Sequence, residues 1–255
     1  MKKIWTIALN SFRENLRDRI LYNLLVFALL MIVLSVALVQ LSTGEWERIT
    51  IDVGLGSISI FGSLMAIFLG ISLVSKEIER RTIYTLLSKP VSRTSFLLGK
   101  YLGLVLTILV NLAIMTAVYL IILYYLRGHF SLAQAQALIL IFLSLMIVVA
   151  IALFFSTFST PTLSAIFTLS LFVIGHLTRD IRNFSAQSEY APVKYLGRAV
   201  YYLLPNLSNY SLLDNATFGQ ALAIQDFFRV LLLGLLTAAL ILTLASLVLE
   251  KRDFL

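Results

Sequence analysis

Six long apolar runs alternate with shorter polar stretches along the chain, at positions 20–41, 53–74, 97–126, 132–158, 162–178 and 228–249. A helix that spans a bilayer needs about 20 apolar residues. Within lipid every backbone amide must find its partner inside the chain, so the runs predict helices rather than open strands. A membrane barrel would alternate apolar and polar positions, and segments such as Leu138-Ile-Leu-Ile-Phe-Leu143 do not alternate. The fifth run is the weakest, and the break before it reads Ser156-Thr-Phe-Ser-Thr-Pro161. A proline can kink a helix or end it. A single helix over 132–178 would be about 70 Å long, twice a bilayer, so two helices joined by a tight turn fit better.

Composition agrees with the pattern. Hydrophobic residues make up 60% of the 255 positions and charged residues only 13%, whereas soluble domains carry about 25% charged residues. The expected fold class is therefore all-α, a polytopic membrane protein with six transmembrane helices. Soluble enzymes, nucleic-acid binders and disordered tails are disfavoured. The chain has no cysteine, which removes disulfides and thiolate chemistry.

Net charge is +7, and its distribution carries more than its size. With six spans both termini share a side. That side holds Lys2, Lys3, Arg13, Arg17, Arg19, Lys76, Arg80, Arg81, Lys89, Arg93, Lys100, Lys251 and Arg252. The other holds Arg48, Arg127, Arg179, Arg182, Lys194, Arg198 and Arg229. The bias predicts cytoplasmic termini, so the basic balance is an orientation signal and calls for no nucleic acid. The first run exceeds the 7–15 residues of a signal-peptide core and is read as retained.

Three polar segments flank the spans. Over 1–19, Ile4, Ala8, Phe12 and Leu16 recur at helical spacing, which predicts an amphipathic interfacial helix. The segment 75–96 is the most polar on the cytoplasmic side. Glu77 and Arg81 stand at i,i+4, Ile78, Thr82, Ile83, Leu86 and Leu87 form an apolar face, and Pro90 ends the helix. That face either rests on the bundle or is presented to a partner, and pattern alone favours the first. The outer stretch 179–227 carries balanced charge and an apolar stripe, Val193, Leu196, Val200, Leu203 and Leu204, ending at Pro205. Structureless loops of this length are uncommon, so one or two short helices are expected, lying on or dipping into the outer leaflet.

Catalytic motifs are not visible. Gly99-Lys100 is followed by Tyr101, and Thr94 stands where a phosphate loop would begin, so the chain alone should not hydrolyse ATP. Only His129 and His176 offer imidazole, and no metal site is expected. The spans hold almost no ionisable residue of the kind that drives ion-coupled transport. Small residues cluster in the second run, where Gly62, Ala66 and Gly70 repeat every four positions, and Gly99 and Gly103 repeat the spacing in the third. Such stripes let helices approach closely, within one bundle or between subunits. Asn111 and the Ser and Thr of the fourth and fifth runs fit helix-to-helix hydrogen bonds or a polar path.

The loop Glu77-Ile-Glu-Arg-Arg-Thr-Ile-Tyr-Thr-Leu-Leu-Ser-Lys-Pro-Val-Ser-Arg93, followed by Phe96-Leu-Leu-Gly-Lys100, resembles the cytoplasmic loop of ABC transporter type-2 permeases. More narrowly it looks like the multi-copper-enzyme maturation permease branch. Ser11-Phe-Arg-Glu-Asn-Leu-Arg-Asp-Arg-Ile20 and Tyr202-Leu-Leu-Pro-Asn-Leu207 are similar to that branch too. The resemblance implies one permease domain over 1–255, in a bacterial or archaeal cell membrane. It implies a second permease, either an identical copy or a related chain, exporter function, and a separate ATP-binding cassette subunit that carries the ATP and Mg. The chain itself would bind no cofactor. Residues 76–88 would dock on that subunit, with Lys76, Glu77, Glu79, Arg80 and Arg81 in its ion pairs or beside them. Thr82, Ile83, Leu86, Leu87 and Ser88 would seat in its groove or flank it, and Pro90, Ser92 and Arg93 would shape the return into the third span. The copper label does not transfer, because five Met, two His and no Cys offer little to a soft metal. The rival from another class is a non-transporting scaffold or sensor that recruits a cytoplasmic protein through the same loop. An intramembrane enzyme is disfavoured because no nucleophile, base or metal set is visible.

Overall fold

The apolar runs become helices because a backbone in lipid has no other way to satisfy its amides. The computed structural model describes residues 2–40, 45–79, 92–126, 128–188 and 190–251. The helices are α1 (Lys2–Asn15), α2 (Arg19–Gln40), α3 (Trp46–Glu79), α4 (Arg93–Tyr125), α5 (Leu132–Ser156), α6 (Pro161–Gln187), α7 (Ala191–Leu203), α8 (Leu213–Thr217) and α9 (Ile224–Lys251), with a 3-10 turn at Leu207–Tyr210. Six of them, α2 to α6 and α9, are long and apolar enough to cross a membrane. Among the described residues the fold is all-helical with six spans, as the pattern predicts.

Burial ranks the spans. Two-thirds (67%) of the most apolar window of α3 and of α5 is buried, against 22% for α2, α6 and α9. So α3 and α5 form the centre, and the other spans pack around them. Helix α5 is apolar on every side, as a central helix must be. Close packing of α3 on α5 depends on small side chains. A Cβ placed on Gly62 would meet Leu145 Cδ1 at 2.9 Å, and one on Gly70 would meet the Cβ of Ala152 at 2.5 Å. Ala66, between them, is fully buried.

The break at 157–160 is a tight turn between two helices. Ser156, Thr157 and Ser159 return their hydroxyl hydrogens to the carbonyls of Leu153, Phe154 and Phe155, which satisfies the carbonyls that the end of α5 leaves open. Pro161 then opens α6, where its missing amide costs nothing.

The two largest departures from the expected boundaries are in the second and fifth spans. The second span begins at Trp46 rather than 53, and its first turns carry Glu47, Arg48 and Asp52. Helix α6 continues to Gln187, nine residues past its apolar run, so the outer segment starts later than position 179. The extension is amphipathic. Arg179, Asp180 and Arg182 are exposed, while Thr178 and Ser185 are buried. Helix α7 folds back on it so closely that a Cβ on Gly197 would collide with the side chain of Ser185, and Arg182 lies over the Tyr201 ring at 4.5 Å. Hydropathy drops at Arg179, but the helix persists because a neighbour covers its inner stripe.

Candidate functional site

Helix α1, the last turn of α9 and the start of α4 meet at one end of the bundle. Ser92 caps α4, its hydroxyl oxygen accepting from the Ser95 amide. Arg93 then reaches the last turn of α9, where Nη1 donates to the carbonyls of Leu249 at 2.8 Å and Glu250 at 3.1 Å. A cation at a helix C-terminus meets open carbonyls and the negative end of the dipole.

Two turns further along, α4 receives α1. A Cβ on Gly99 would meet the Ile7 side chain at 2.7 Å, and one on Gly103 would meet the Ala8 carbonyl oxygen at 2.7 Å. With no side chain at either position, α1 lies directly on the α4 backbone. Asn15 Nδ2 donates across the seam to Thr107 Oγ1 at 3.3 Å, and Thr107 and Asn111 return hydrogen bonds to carbonyls of α4 itself. Lys100 is buried at 3% exposure, with Nζ 4.0 Å from Glu14 and 5.7 Å from the Phe96 ring centre. The face α1 buries holds Ala8, Ser11 and Asn15, whereas Trp5 is exposed. This face is offset from the stripe of Ile4, Ala8, Phe12 and Leu16 expected to lie on lipid, because small and polar side chains here pack against another helix.

Of the loop residues, Lys76, Glu77 and Glu79 form the last turn of α3. Arg80, Arg81, Thr82, Ile83, Leu86, Leu87, Ser88 and Pro90 lie outside the described residues. Ser92 and Arg93 open α4 at the junction just described. The structure thus brings Arg93, Gly99 and Gly103 together on one helix end, while Gly62, Ala66 and Gly70 lie along α3.

A family model described as ABC-2 family transporter protein matches residues 5–254, nearly the whole chain. The chain belongs to the ABC-2 transporter family. No curated protein matches it. It is therefore an integral membrane permease component of an ABC transporter, and membership implies a separate ATP-binding subunit.

At the opposite end of the ABC-2 permease, the segment between α7 and α9 is packed among the spans. Leu207 is fully buried, and Gly175 on α6 makes room for Leu207 and the Pro205 carbonyl. Gly234 on α9 makes room first for Leu143 of α5 and then for Tyr210. Thr178 and Ser208 each donate to Asn206 Oδ1 at 2.6 Å. Gln136 on α5 holds Leu222 from both sides, donating Nε2 to its carbonyl at 3.1 Å and accepting its amide at 2.8 Å. Polar backbone at this depth is tolerated where protein covers it. The expected short outer helices are thus α7, the 3-10 turn and α8.

Sequence reasoning assigned no packing contact to Asn206, Gln136 or Lys100, although Lys100 counts in the charge bias and Lys100 and Asn206 lie in the stretches that carry the resemblance. Pro205-Asn206 after a Tyr-rich stripe is the one visible signal, and it marks a turn rather than a contact. His176 donates to its own helix at Phe172, 3.0 Å away, with its ring against the Phe172 ring.

Proposed function

We propose that this permease pairs with a second permease copy to form the translocation path of an ATP-driven exporter, with both termini cytoplasmic. The segment 75–96 couples it to the ATP-binding subunit. Support for the orientation is the bias of Lys and Arg toward the side of the termini. Support for coupling comes from the loop residues, whose sequence resembles the docking loop of type-2 permeases. The narrower branch we infer is that of the multi-copper-enzyme maturation permeases, without any role for copper.

The observation that carries the coupling is the grip of Arg93 on α9. The loop returns into α4 at a point hydrogen-bonded to the end of the last span and packed against the first helix. A displacement of the loop by ATP-driven closure is then passed to α1, α4 and α9 together. Lys76, Glu77, Glu79, Arg80 and Arg81 supply the charges for docking, and Thr82, Ile83, Leu86, Leu87 and Ser88 the surface that seats. ATP and Mg stay on the partner.

The test is charge reversal. The triple variant Arg80→Glu, Arg81→Glu, Arg93→Glu is expected to insert normally and to lose the vanadate-dependent change in labelling of cysteines introduced along α3. The natural chain has no cysteine, so the labels report single sites. A wild-type response in that variant contradicts the coupling role.

A further inference from the structure

Helix α7 folds back along the last turns of α6, and the two form a hairpin at the end of the bundle opposite Arg93. Its cations fall on one flank. Arg179 and Arg182 stand at i,i+3 on α6, and Lys194 and Arg198 at i,i+4 on α7, so each pair shares a helix face. Tyr201 stands three residues after Arg198, and the Arg182 guanidinium lies over its ring at 4.5 Å. That contact puts both pairs on the same side of the hairpin. All four cations are exposed. None has an ion-pair partner among the described residues.

The foot of the hairpin is fixed against the bilayer. Thr178 closes the apolar run of α6 and donates to Asn206 Oδ1, and Gly175 makes room for Leu207. At a rise of 1.5 Å per residue, Arg179 and Arg182 lie about 2 to 6 Å beyond Thr178. A Cβ on Gly197 would meet Ser185 and the Ile181 carbonyl, which sets Arg198 at about the depth of Arg182. The headgroup layer on each side of the hydrocarbon is about 5–8 Å thick, so these three arginines lie within it. Helical side chains tilt toward the N-terminus, which on α6 carries the Arg182 guanidinium toward the hydrocarbon. Lys194 stands one turn further out. Exposed Tyr202, at the foot of α7, sits where interfacial tyrosines gather.

The anion present throughout this layer is the lipid phosphodiester. A guanidinium resting on a ring keeps the N–H fork at its edge free, and the fork matches phosphate oxygens. Choline balances the charge of its own phosphate, whereas a glycerol headgroup leaves it open to these cations. We propose that Arg179, Arg182 and Arg198, with Lys194 above them, bind the phosphate of an anionic phospholipid in the leaflet at this end. The bound lipid holds the hairpin at its depth and, through Asn206, the segment 204–210 packed among the spans. The inference is independent of the ATP-binding partner, and its test needs no transport assay.

The test is photocrosslinking of the full chain in nanodiscs that carry phosphatidylglycerol or phosphatidylcholine with a photoreactive headgroup. Adducts on residues 176–203 are mapped by proteolysis and mass spectrometry. The wild type is expected to give about tenfold more adduct there with phosphatidylglycerol than with phosphatidylcholine. Unlabelled phosphatidylglycerol should compete, and inorganic phosphate should not. Arg182→Gln, Arg198→Gln is expected to bring the two lipids to near parity, while Arg182→Lys, Arg198→Lys keeps most of the preference. Arg229→Gln, which removes an exposed cation of α9 outside the hairpin, is expected to behave as the wild type. Lys194→Gln, Arg198→Gln leaves the contact of Arg182 with Tyr201 in place and is expected to lower the preference severalfold. It serves should the first pair fail to fold, as judged by circular dichroism. Equal yields from the two lipids in the wild type would overturn the proposal, as would an undiminished preference in a folded Gln variant. Displacement by inorganic phosphate would replace the lipid with a free anion. No adduct in this stretch would also overturn it, whether a protein covers the flank or the exposed Phe184 and Leu196 lean into the leaflet and lift the cations away.

Discussion

Arg93 and Leu249 stand 156 positions apart in sequence, and the guanidinium of one donates to the backbone carbonyl of the other at 2.8 Å. The contact closes the chain at one end of the bundle: the residue that opens the third span holds the last turn of the sixth. Removing the guanidinium in Arg93→Ala leaves two carbonyls to water at a partly exposed helix end. The expected cost is about 1–2 kcal/mol, toward the lower part of the range for a charged donor. Arg93→Lys keeps the charge beside the helix C-terminus but loses the planar fork, so its cost lies between. Thermal unfolding in detergent measures both, and an Ala variant as stable as wild type would remove the contact from the account.

The seam between α1 and α4 has no room for a side chain at Gly103, because its Cβ would press on the Ala8 carbonyl and the Ser11 side chain. Gly103→Val therefore lifts α1 and breaks the hydrogen bond from Asn15 to Thr107. Overpacking of this kind costs about 1–3 kcal/mol. The measurable result is a lower unfolding midpoint together with faster proteolysis of α1. Unchanged protection of α1 would show that the helix is held by other means.

The contact of α3 with α5 is more central. Gly70→Leu forces four carbon atoms against Ala152, and Ala152 is fully buried. The loss should be at least the upper part of the overpacking range, about 3 kcal/mol. Gly70→Ala alone should already lose stability, and adding Ala152→Gly, which removes a methyl where the first change adds one, should recover most of that loss. Failure of that rescue in an unfolding assay would contradict the direct contact.

Gln136 tests the anchoring of the segment before α9. It is 5% exposed and bonds both backbone groups of Leu222. Gln136→Leu leaves that amide and carbonyl unmet, at about 1–3 kcal/mol each if they stay buried. Hydrogen exchange is expected to rise at Leu222 and its neighbours. Exchange at wild-type rates would mean the segment is fixed elsewhere.

The six spans were legible because length and hydropathy suffice when lipid forbids any other backbone. The turn at Pro161 was legible for the same reason, since one helix of that length overshoots a bilayer. The extension of α6 was not, because Arg179, Asp180 and Arg182 end the apolar run while the inward stripe through Thr178 and Ser185 persists. Trp46 as the start of α3 was hidden in the same way by Glu47, Arg48 and Asp52. The spacing of Gly99 and Gly103 is plain in the sequence, yet nothing in it names Ile7 and Ala8 as the neighbours. Ser11 and Asn15 entered only through the stretch that carries the resemblance and not as contacts, because hydrophobic periodicity is blind to small and polar side chains that pack on another helix. Long-range pairs such as Gln136 with Leu222 leave no local trace.

The central claim is that this ABC-2 permease works only as part of a complex with an ATP-hydrolysing subunit docked on the segment 75–96. The most direct measurement is affinity purification of the tagged chain from native membranes in mild detergent, followed by identification of co-purifying chains and an ATPase assay. The account predicts a stoichiometric subunit bearing a phosphate loop, with turnover that vanadate inhibits. It also predicts loss of that subunit when Glu77, Glu79, Arg80 and Arg81 are reversed in charge. A chain that arrives without any ATPase, under conditions that keep other membrane complexes whole, contradicts the account and favours a membrane scaffold.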